Sequence, residues 1–509
     1  MASFQRQYVS KLVPANVTVL TVLLVLVAVA NSATLGYDSS VMSGLLILPS
    51  YTEYFQLTTA TTGLNNAAMW VGGILGSFVM QPVPDRFGRK GAILGACLVS
   101  FVGIALQAGA QNIAMFVAAR IIIGFGTALS NMAAPLLLGE LLPARKRGRI
   151  LGIFFSCYYV GSLASSIVNY GSQHIPTTWA WRLPSMLQLI PSALSLVLLP
   201  LVPESPRWLI SKGHEEHAQE VLVVMQGAGN EDVDGAASAV LEIKAVISKE
   251  AQDMPGNPWR ELLATPGNRK RLFILVVFGS MISTLGNFVI SFYLNDILEQ
   301  SGVRDTNTKL QISVGLSCWC FVVAISGSFM LDVIGRRLQT LISMAGMIAT
   351  LYITGGLIKI YGASDNESGI YGTIAVIFLF QGFYSFAITP MTSLYPTEIA
   401  QYKVRAASIA VFRFFDGGFG LCFSFAMAYA MAELGWRFYL INASWNIIFA
   451  LIVFFFFPET RALKLEEISI LFEGPQVIEA ALNENSSSKD ENSLPDKKRP
   501  SVSTDPREP

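Results

Sequence analysis

A carboxylate set into an apolar run is the feature of this chain that could do chemistry. Asp38 lies in Gly36-Tyr37-Asp38-Ser39-Ser40-Val41-Met42-Ser43-Gly44, at the end of an apolar stretch that opens at Val17. A charge at membrane depth costs at least roughly 2.5–3.5 kcal/mol, so an intramembrane acid marks a proton or substrate pathway by default. Asp416, inside Arg413-Phe414-Phe415-Asp416-Gly417-Gly418, is a second such acid. Three roles stand open for it: binding substrate, carrying a second proton, or pairing with Arg413. Little else is reactive. His174, His214 and His217 offer no pair at metal-ligand spacing on one helix, and Cys97, Cys157, Cys318, Cys320 and Cys422 lie in apolar runs where thiols act as small hydrophobes. Neither a metal nor a disulfide is expected. With no nucleophile–base arrangement and no phosphate loop, an enzyme is not expected, nor is a cofactor.

The elements that must position these acids are membrane helices. The 509 residues are 52% hydrophobic and only 14% charged, with mean hydropathy +0.50, a combination rare among soluble domains of this length. The 35 Lys and Arg balance the 35 Asp and Glu, so no concentrated basic face is available for nucleic acid. Twelve apolar segments are long enough to cross about 30 Å of hydrocarbon, near 17–44, 62–82, 91–110, 112–136, 148–170, 183–202, 271–296, 310–331, 340–361, 369–395, 406–430 and 435–457. Lipid offers no water to orphan backbone groups, so all must be helical. Residues 1–16 are polar and the run from Val17 is too long for a signal segment, so it is expected to remain as the first span.

Charge sets the expected orientation. Arg86, Arg89 and Lys90 follow span two; Arg145, Lys146, Arg147 and Arg149 follow span four; Arg336 and Arg337 follow span eight; Lys403 and Arg405 follow span ten. The stretch 48–63 carries none, so the positive-inside rule places both termini in the cytoplasm. The expected organisation is a cytoplasmic N-terminal tail 1–16, a six-helix half 17–202, a linker 203–270 with short amphipathic helices, a second half 271–457, a cytoplasmic motif segment 458–480 and a disordered tail 481–509.

An internal repeat divides the chain. Asp85-Arg86-Phe87-Gly88-Arg89-Lys90 recurs as Asp332-Val333-Ile334-Gly335-Arg336-Arg337, and Glu140 with Arg147 recurs as Glu398 with Arg405. Trp181-Arg182 recurs as Trp436-Arg437, and Pro203-Glu204-Ser205-Pro206-Arg207 has its counterpart in Pro458-Glu459-Thr460-Arg461. The offset stays at about 250 residues, which makes two halves of six helices. Parallel halves with a site between them near the midplane are a secondary-transporter plan.

These paired motifs resemble the sugar porter family of the major facilitator superfamily over roughly residues 17–470. Tyr37-Asp38, Leu285-Gly286-Asn287 and Ser291-Phe292-Tyr293-Leu294 are similar to the fungal permeases for lactose and related disaccharides. The resemblance implies an all-α membrane fold of twelve transmembrane helices in two pseudo-symmetric halves. It also implies that Asp38 pairs with Arg120 as the proton-coupling group, since facilitators of the family carry a neutral residue in place of the acid; the alternative is an ion pair that never titrates. The repeated loops read as a cytoplasmic latch. Gly88 and Gly335 permit the turn, Asp85 and Asp332 face a helix dipole, and Arg86, Arg89, Arg147, Arg207, Arg336, Arg337 and Arg405 can pair with Glu140, Glu204, Glu398 and Glu459 across the mouth. The alternative is that these charges only orient the protein and solvate its loops.

The sugar-contacting positions depart from the family. Phe155 stands where span five commonly has glutamine, Ile282 and Ser283 replace the paired glutamines of span seven, Cys320 and Asp416 replace asparagines, and Ser393 replaces a tryptophan. Asn287, Tyr293, Gln188, Thr389, Ser393, Ser283 and Asp416 remain as polar candidates for substrate, with Phe155, Tyr158, Phe383 and Tyr384 able to stack on a ring or simply to pack. The expected function is proton-coupled symport of a sugar, a disaccharide or glycoside, by alternating access, in a monomer of the plasma membrane whose partners are the small-molecule substrate, protons and the bilayer. The alternatives are a carrier or exporter of a non-sugar metabolite on the same scaffold, or a sugar sensor. Asn366-Glu367-Ser368 fits an N-glycosylation acceptor in an outside loop.

Overall fold

The computed structural model describes residues 7–14, 16–80, 82–142, 154–226, 233–253, 258–361, 366–400, 404–461, 468 and 471–472. The fold is all-α. The first half contains α1 (Val17–Leu45), the short α2 (Pro49–Phe55), α3 (Thr59–Ser77), α4 (Pro82–Ala108), α5 (Ile113–Leu141), α6 (Tyr158–Ser172), and α7 (Trp179–Leu187) running into α8 (Leu189–Leu198). Four shorter helices follow, α9 (Pro206–Ser211), α10 (Glu215–Gln226), α11 (Val233–Asp253) and α12 (Pro258–Ala264). The second half has α13 (Pro266–Thr284), α14 (Asn287–Phe292), α15 (Leu294–Gln300), α16 (Thr306–Ile334), α17 (Arg336–Tyr361), α18 (Glu367–Ile399), α19 (Arg405–Leu434) and α20 (Arg437–Phe456).

Among the described residues, ten helices are long and apolar enough to cross a membrane. With α3 and α6 the spans number twelve. These two are the more polar, with Asn65 and Asn66 on α3 and Ser162, Ser165, Ser166 and Asn169 on α6 buried. Their packing explains the composition. α3 runs along α5 and α19, and α6 along α1 and α16, so each is a seam between the halves and meets protein where other spans meet lipid.

The repeat seen in sequence is a repeat of packing. In the first half α3 packs on α5, α4 on α5 and α1 on α6; in the second, α16 packs on α18, α17 on α18 and α13 on α19. The α6–α16 seam is a ladder of hydroxyls. Ser166 Oγ lies 3.0 Å from Ser317 Oγ and 3.3 Å from Ser313 Oγ, Ser162 Oγ lies 3.4 Å from Ser317 Oγ, and Ser156 Oγ lies 2.9 Å from Ser328 Oγ. Ser40 on α1 donates to Ser162 at 2.8 Å.

Two differences from the expected spans have clear causes. Span seven was expected unbroken over 271–296, yet α13 stops at Thr284 and the chain restarts after Gly286, whose φ of +104° is left-handed and favours glycine. The carbonyls freed there find side chains: Trp445 Nε1 donates to Thr284 O and Asn446 Nδ2 to Leu285 O, both at 2.9 Å. Residues 7–14 do not hang free as a tail. Val9 and Val13 are buried, the Tyr8 and Val9 amides donate to Glu220 at 2.8 and 3.1 Å, and Tyr8 Oη donates to Glu216 at 2.7 Å, which straps the segment to α10. Span five is described from Phe154 onward, and the tail 481–509 lies outside the described residues.

Candidate functional site

Close helix packing delivers the first acid. A Cβ built on Gly36 would lie 1.8 Å from the Tyr158 carbonyl oxygen, and one on Gly161 would lie 1.9 Å from that of Ala33, so α1 and α6 touch backbone to backbone. The far part of α1, held in this way, carries Asp38 into the interior beside α5. Asp38 and Arg120 are both fully buried. They meet differently from the expected ion pair: Arg120 Nη1 donates to the main-chain oxygen of Asp38 at 2.7 Å, and its Nη2 lies 3.7 Å from Met69 Sδ. The carboxylate is met instead by Thr127, whose Oγ1 donates to Asp38 Oδ2 at 3.1 Å. Among the described residues, Asp38 Oδ1 and Arg120 Nε have no hydrogen-bond partner. Thr127 went unmarked in the sequence, although it stands seven residues after Arg120 and so on the same face of α5.

The second acid has fuller company. Asp416 accepts from Arg413 Nη1 at 3.3 Å and from Ser283 Oγ at 3.4 Å, and Ser283 also donates to the Asp416 main-chain oxygen at 3.1 Å. Of the three roles open to Asp416, pairing with Arg413 is the one this geometry provides.

The polar substrate candidates form three groups. Asn287 Oδ1 accepts from Gln381 Nε2 at 2.7 Å and from Ser291 Oγ at 3.2 Å, just past the break in span seven; Gln381 was not singled out from sequence. Thr389 Oγ1 lies 3.3 Å from Tyr159 Oη, which crosses between the halves to meet Ser385 Oγ at 2.7 Å. Gln188 is fully buried where α7 gives way to α8, and both ends of its amide lack a partner among the described residues. Tyr293 is spent on packing, its Oη donating to Ser424 O at 2.6 Å. Phe155 sits half-buried with its ring edge-on to Phe154 at 4.8 Å. The Ser393 side chain lies outside the described residues.

The repeated loops build two matching clusters. In the first, Arg89 grips Glu140 with two nitrogens at 2.9 and 3.0 Å and reaches Asp85 at 3.4 Å, while Glu204 accepts the amides of Arg89 and Lys90, each at 3.1 Å. In the second, Arg336 reaches Glu398 at 3.0 Å and Asp332 at 3.1 Å, while Glu459 accepts the amides of Arg336 and Arg337 at 2.8 and 3.0 Å. Ser205 caps Glu140 as Thr460 caps Glu398. Gly88 and Gly335 sit at φ +86° and +101°, conformations in which a side chain would strain the turn. Burial pushes the Glu204 carboxyl above its usual value, against the pull of the Ser205, Lys90 and Arg89 amides.

Among the described residues, Arg89 and Arg336 pair within their own halves, where pairs across the mouth were expected. Burial, and after it the like charge of Arg207 in the other half, lowers the pKa of the Arg405 guanidinium. Arg86 lies over the Phe87 ring at 5.4 Å, and Arg147 lies outside the described residues. Asn366 caps α18, accepting the Ser368 amide through Oδ1 at 3.1 Å.

The comparisons agree with this architecture. A family model described as "Sugar (and other) transporter" matches residues 24–472. The chain is 28% identical to the MFS-type transporter criB of Aspergillus cristatus, over 88% of this chain and 93% of that protein. It is 28% identical to a probable quinate permease of Aspergillus clavatus, over 89% and 87%. With the sugar transport protein MST3 of Oryza sativa subsp. japonica it shares 25% identity over 90% and 92%. The solved proton:xylose symporter XylE, bound to 6-bromo-6-deoxy-D-glucose, superposes with a TM-score of 0.73 at 22% identity, covering 90% of this chain and all of that one, a likeness of fold. A twelve-helix bundle with paired loop clusters, matched along most of its length by one family model, belongs to the Sugar (and other) transporter family, the sugar porters of the major facilitator superfamily; it is a multi-pass membrane transporter and not an enzyme.

Proposed function

We propose that the chain is a proton-coupled symporter that imports a sugar, a disaccharide or glycoside, by alternating access in the plasma membrane, with both termini cytoplasmic. The observation that carries this reading is the fully buried Asp38, with one carboxylate oxygen held by Thr127, the other unpartnered, and a fully buried arginine on its main-chain oxygen. A nearby guanidinium favours the ionised acid. A rearrangement that draws Arg120 away leaves desolvation dominant and favours the proton, so each conformation has a preferred charge state. Gln188, with both amide ends open, supports recognition of a hydroxyl-bearing ligand, and the Asn287–Gln381 pair can open to offer further groups. A second reading, transport of a polyhydroxylated carboxylate, is favoured by Arg413, which brings a cation to the second half, and by the likeness to a quinate permease.

Uptake of labelled glucose, xylose, lactose, cellobiose and quinate into transporter-deficient cells, with external pH recorded, tests both readings. Concentrative uptake of a disaccharide that rises with external acidity is expected. Accumulation of quinate alone would establish the second reading, and sugar equilibration without a pH effect would overturn coupling.

A further inference from the structure

Thr127 Oγ1 stands between two acceptors. Asp38 Oδ2 lies 3.1 Å away and the Ile123 main-chain oxygen 2.7 Å away. A threonine hydroxyl has one proton to give, so it serves one of them at a time. We infer that Thr127 is a positioning residue whose hydroxyl turns between Asp38 and the Ile123 carbonyl as Asp38 loses and gains its proton. The inference rests on the proton-coupled reading of Asp38.

The two arrangements balance atom for atom. With Asp38 ionised, the Thr127 proton points at Oδ2 and stabilises the charge. When a proton arrives on Oδ2, the new carboxyl O–H donates to Thr127 Oγ1, and the threonine proton turns to the Ile123 oxygen already in reach. Asp38 gains one proton and Thr127 loses none. Every hydroxyl proton has an acceptor in both states, so neither state leaves a buried donor stranded, which would cost about 1–3 kcal/mol.

Arg120, two turns earlier on the same face of α5, holds the Asp38 main-chain oxygen in this conformation. Thus α5 grips one residue of α1 at two points, and the second of them is the one that touches the carboxylate. The other titratable groups about Asp38 are phenols: Tyr37 beside it, donating to Pro184 O at 3.0 Å, Tyr51 on α2, accepting from Asn65 at 3.0 Å, and Tyr158 on α6. α3 and α14 contribute no titratable side chain among the described residues. Phenols stay neutral in the range where a carboxyl titrates, which leaves Asp38 as the group whose charge Thr127 follows.

The test needs no transported solute. Full-length protein in lipid nanodiscs is titrated with pH while infrared difference spectra record the carboxyl C=O stretch. A titrating band absent from Asp38→Asn identifies the acid. Thr127→Val, equal in shape but without the hydroxyl, should move its midpoint upward by roughly half to one pH unit, because the charge-assisted bond lost by the ionised form is about twice as strong as the neutral bond lost by the protonated form; Thr127→Ser should restore the wild-type midpoint. If the valine protein does not fold, Thr127→Ala removes the same donor. A band lost in Asp38→Asn but unmoved by loss of the hydroxyl overturns the role of Thr127 and leaves coupling standing. Spectra in which Asp38→Asn removes no titrating band overturn both. Absence of sugar uptake would bear on the proposed substrate and leave this titration unaffected.

Discussion

The two halves share a packing plan and differ in what they do with their first span. In the first half α1 runs 29 residues without interruption, about 43 Å of helix, and uses its length to hold Asp38 deep against α5. In the second half the equivalent span breaks after Thr284 at Gly286, and its far part turns as the separate helix α14. The acids follow the same division. Asp38 keeps an unpartnered oxygen, whereas Asp416 is met by Arg413 and Ser283. A duplicated scaffold thus holds a buried, partly satisfied acid in one half and a joint in the first span of the other. The loop clusters are built alike in both halves.

Exchanging each acid for its amide breaks the comparison most sharply. Asp38→Asn should abolish pH-driven accumulation while preserving exchange of substrate across the membrane, and Asp416→Asn should lower uptake only severalfold with its pH dependence intact. Concentrative uptake and counterflow measured on both variants check this; the reverse pattern would move coupling to the second half. Next in size is a contrast of glycines. Gly36→Val forces a side chain into the Tyr158 carbonyl and should prevent recovery of folded protein, whereas Gly286→Ala, strained by its positive φ and with Asn442 Oδ1 3.0 Å from the added Cβ, should cost about 1–2 kcal/mol and lower the thermal midpoint in detergent. Equal losses would mean that the joint is packed as tightly as the α1–α6 contact.

The smallest effect should fall on the loops and should be the same on both sides. Glu140→Gln and Glu398→Gln each weaken a charge-assisted pair of about 2 kcal/mol within one half. Each is expected to increase labelling of cytoplasmic-side cysteines to a similar degree at near-normal expression. An effect from one half only would show that the clusters are not equivalent.

Much of this was legible in residue order, because the features repeat or are forbidden by default. Asp85 to Lys90 recurring as Asp332 to Arg337 announced two halves, and an acid in an apolar run announced the site. What was hidden depends on partners far away in the chain. Nothing near Glu220 says that it receives the amides of Tyr8 and Val9, and Gln381 is an ordinary polar residue until Asn287 is found beside it. The break in span seven could have been weighed from Leu285-Gly286-Asn287, yet many glycines in these spans, such as Gly36 and Gly161, sit in unbroken helix. Trp445 and Asn446, about 160 residues on, decide the matter by taking the freed carbonyls. Thr127 lacked any local mark except its distance from Arg120.

The hydroxyl ladder between α6 and α16 bears on how fast the halves can move. Two helices meshed by branched aliphatic side chains must climb over one another's ridges to shift register. Serines are short, and each can give or take a hydrogen bond, so a rung that loses one partner finds the next before the first is fully gone, as Ser166 already does between Ser313 and Ser317. A seam of such rungs can shift register in small steps, without the ridge-over-ridge barrier that branched side chains would impose.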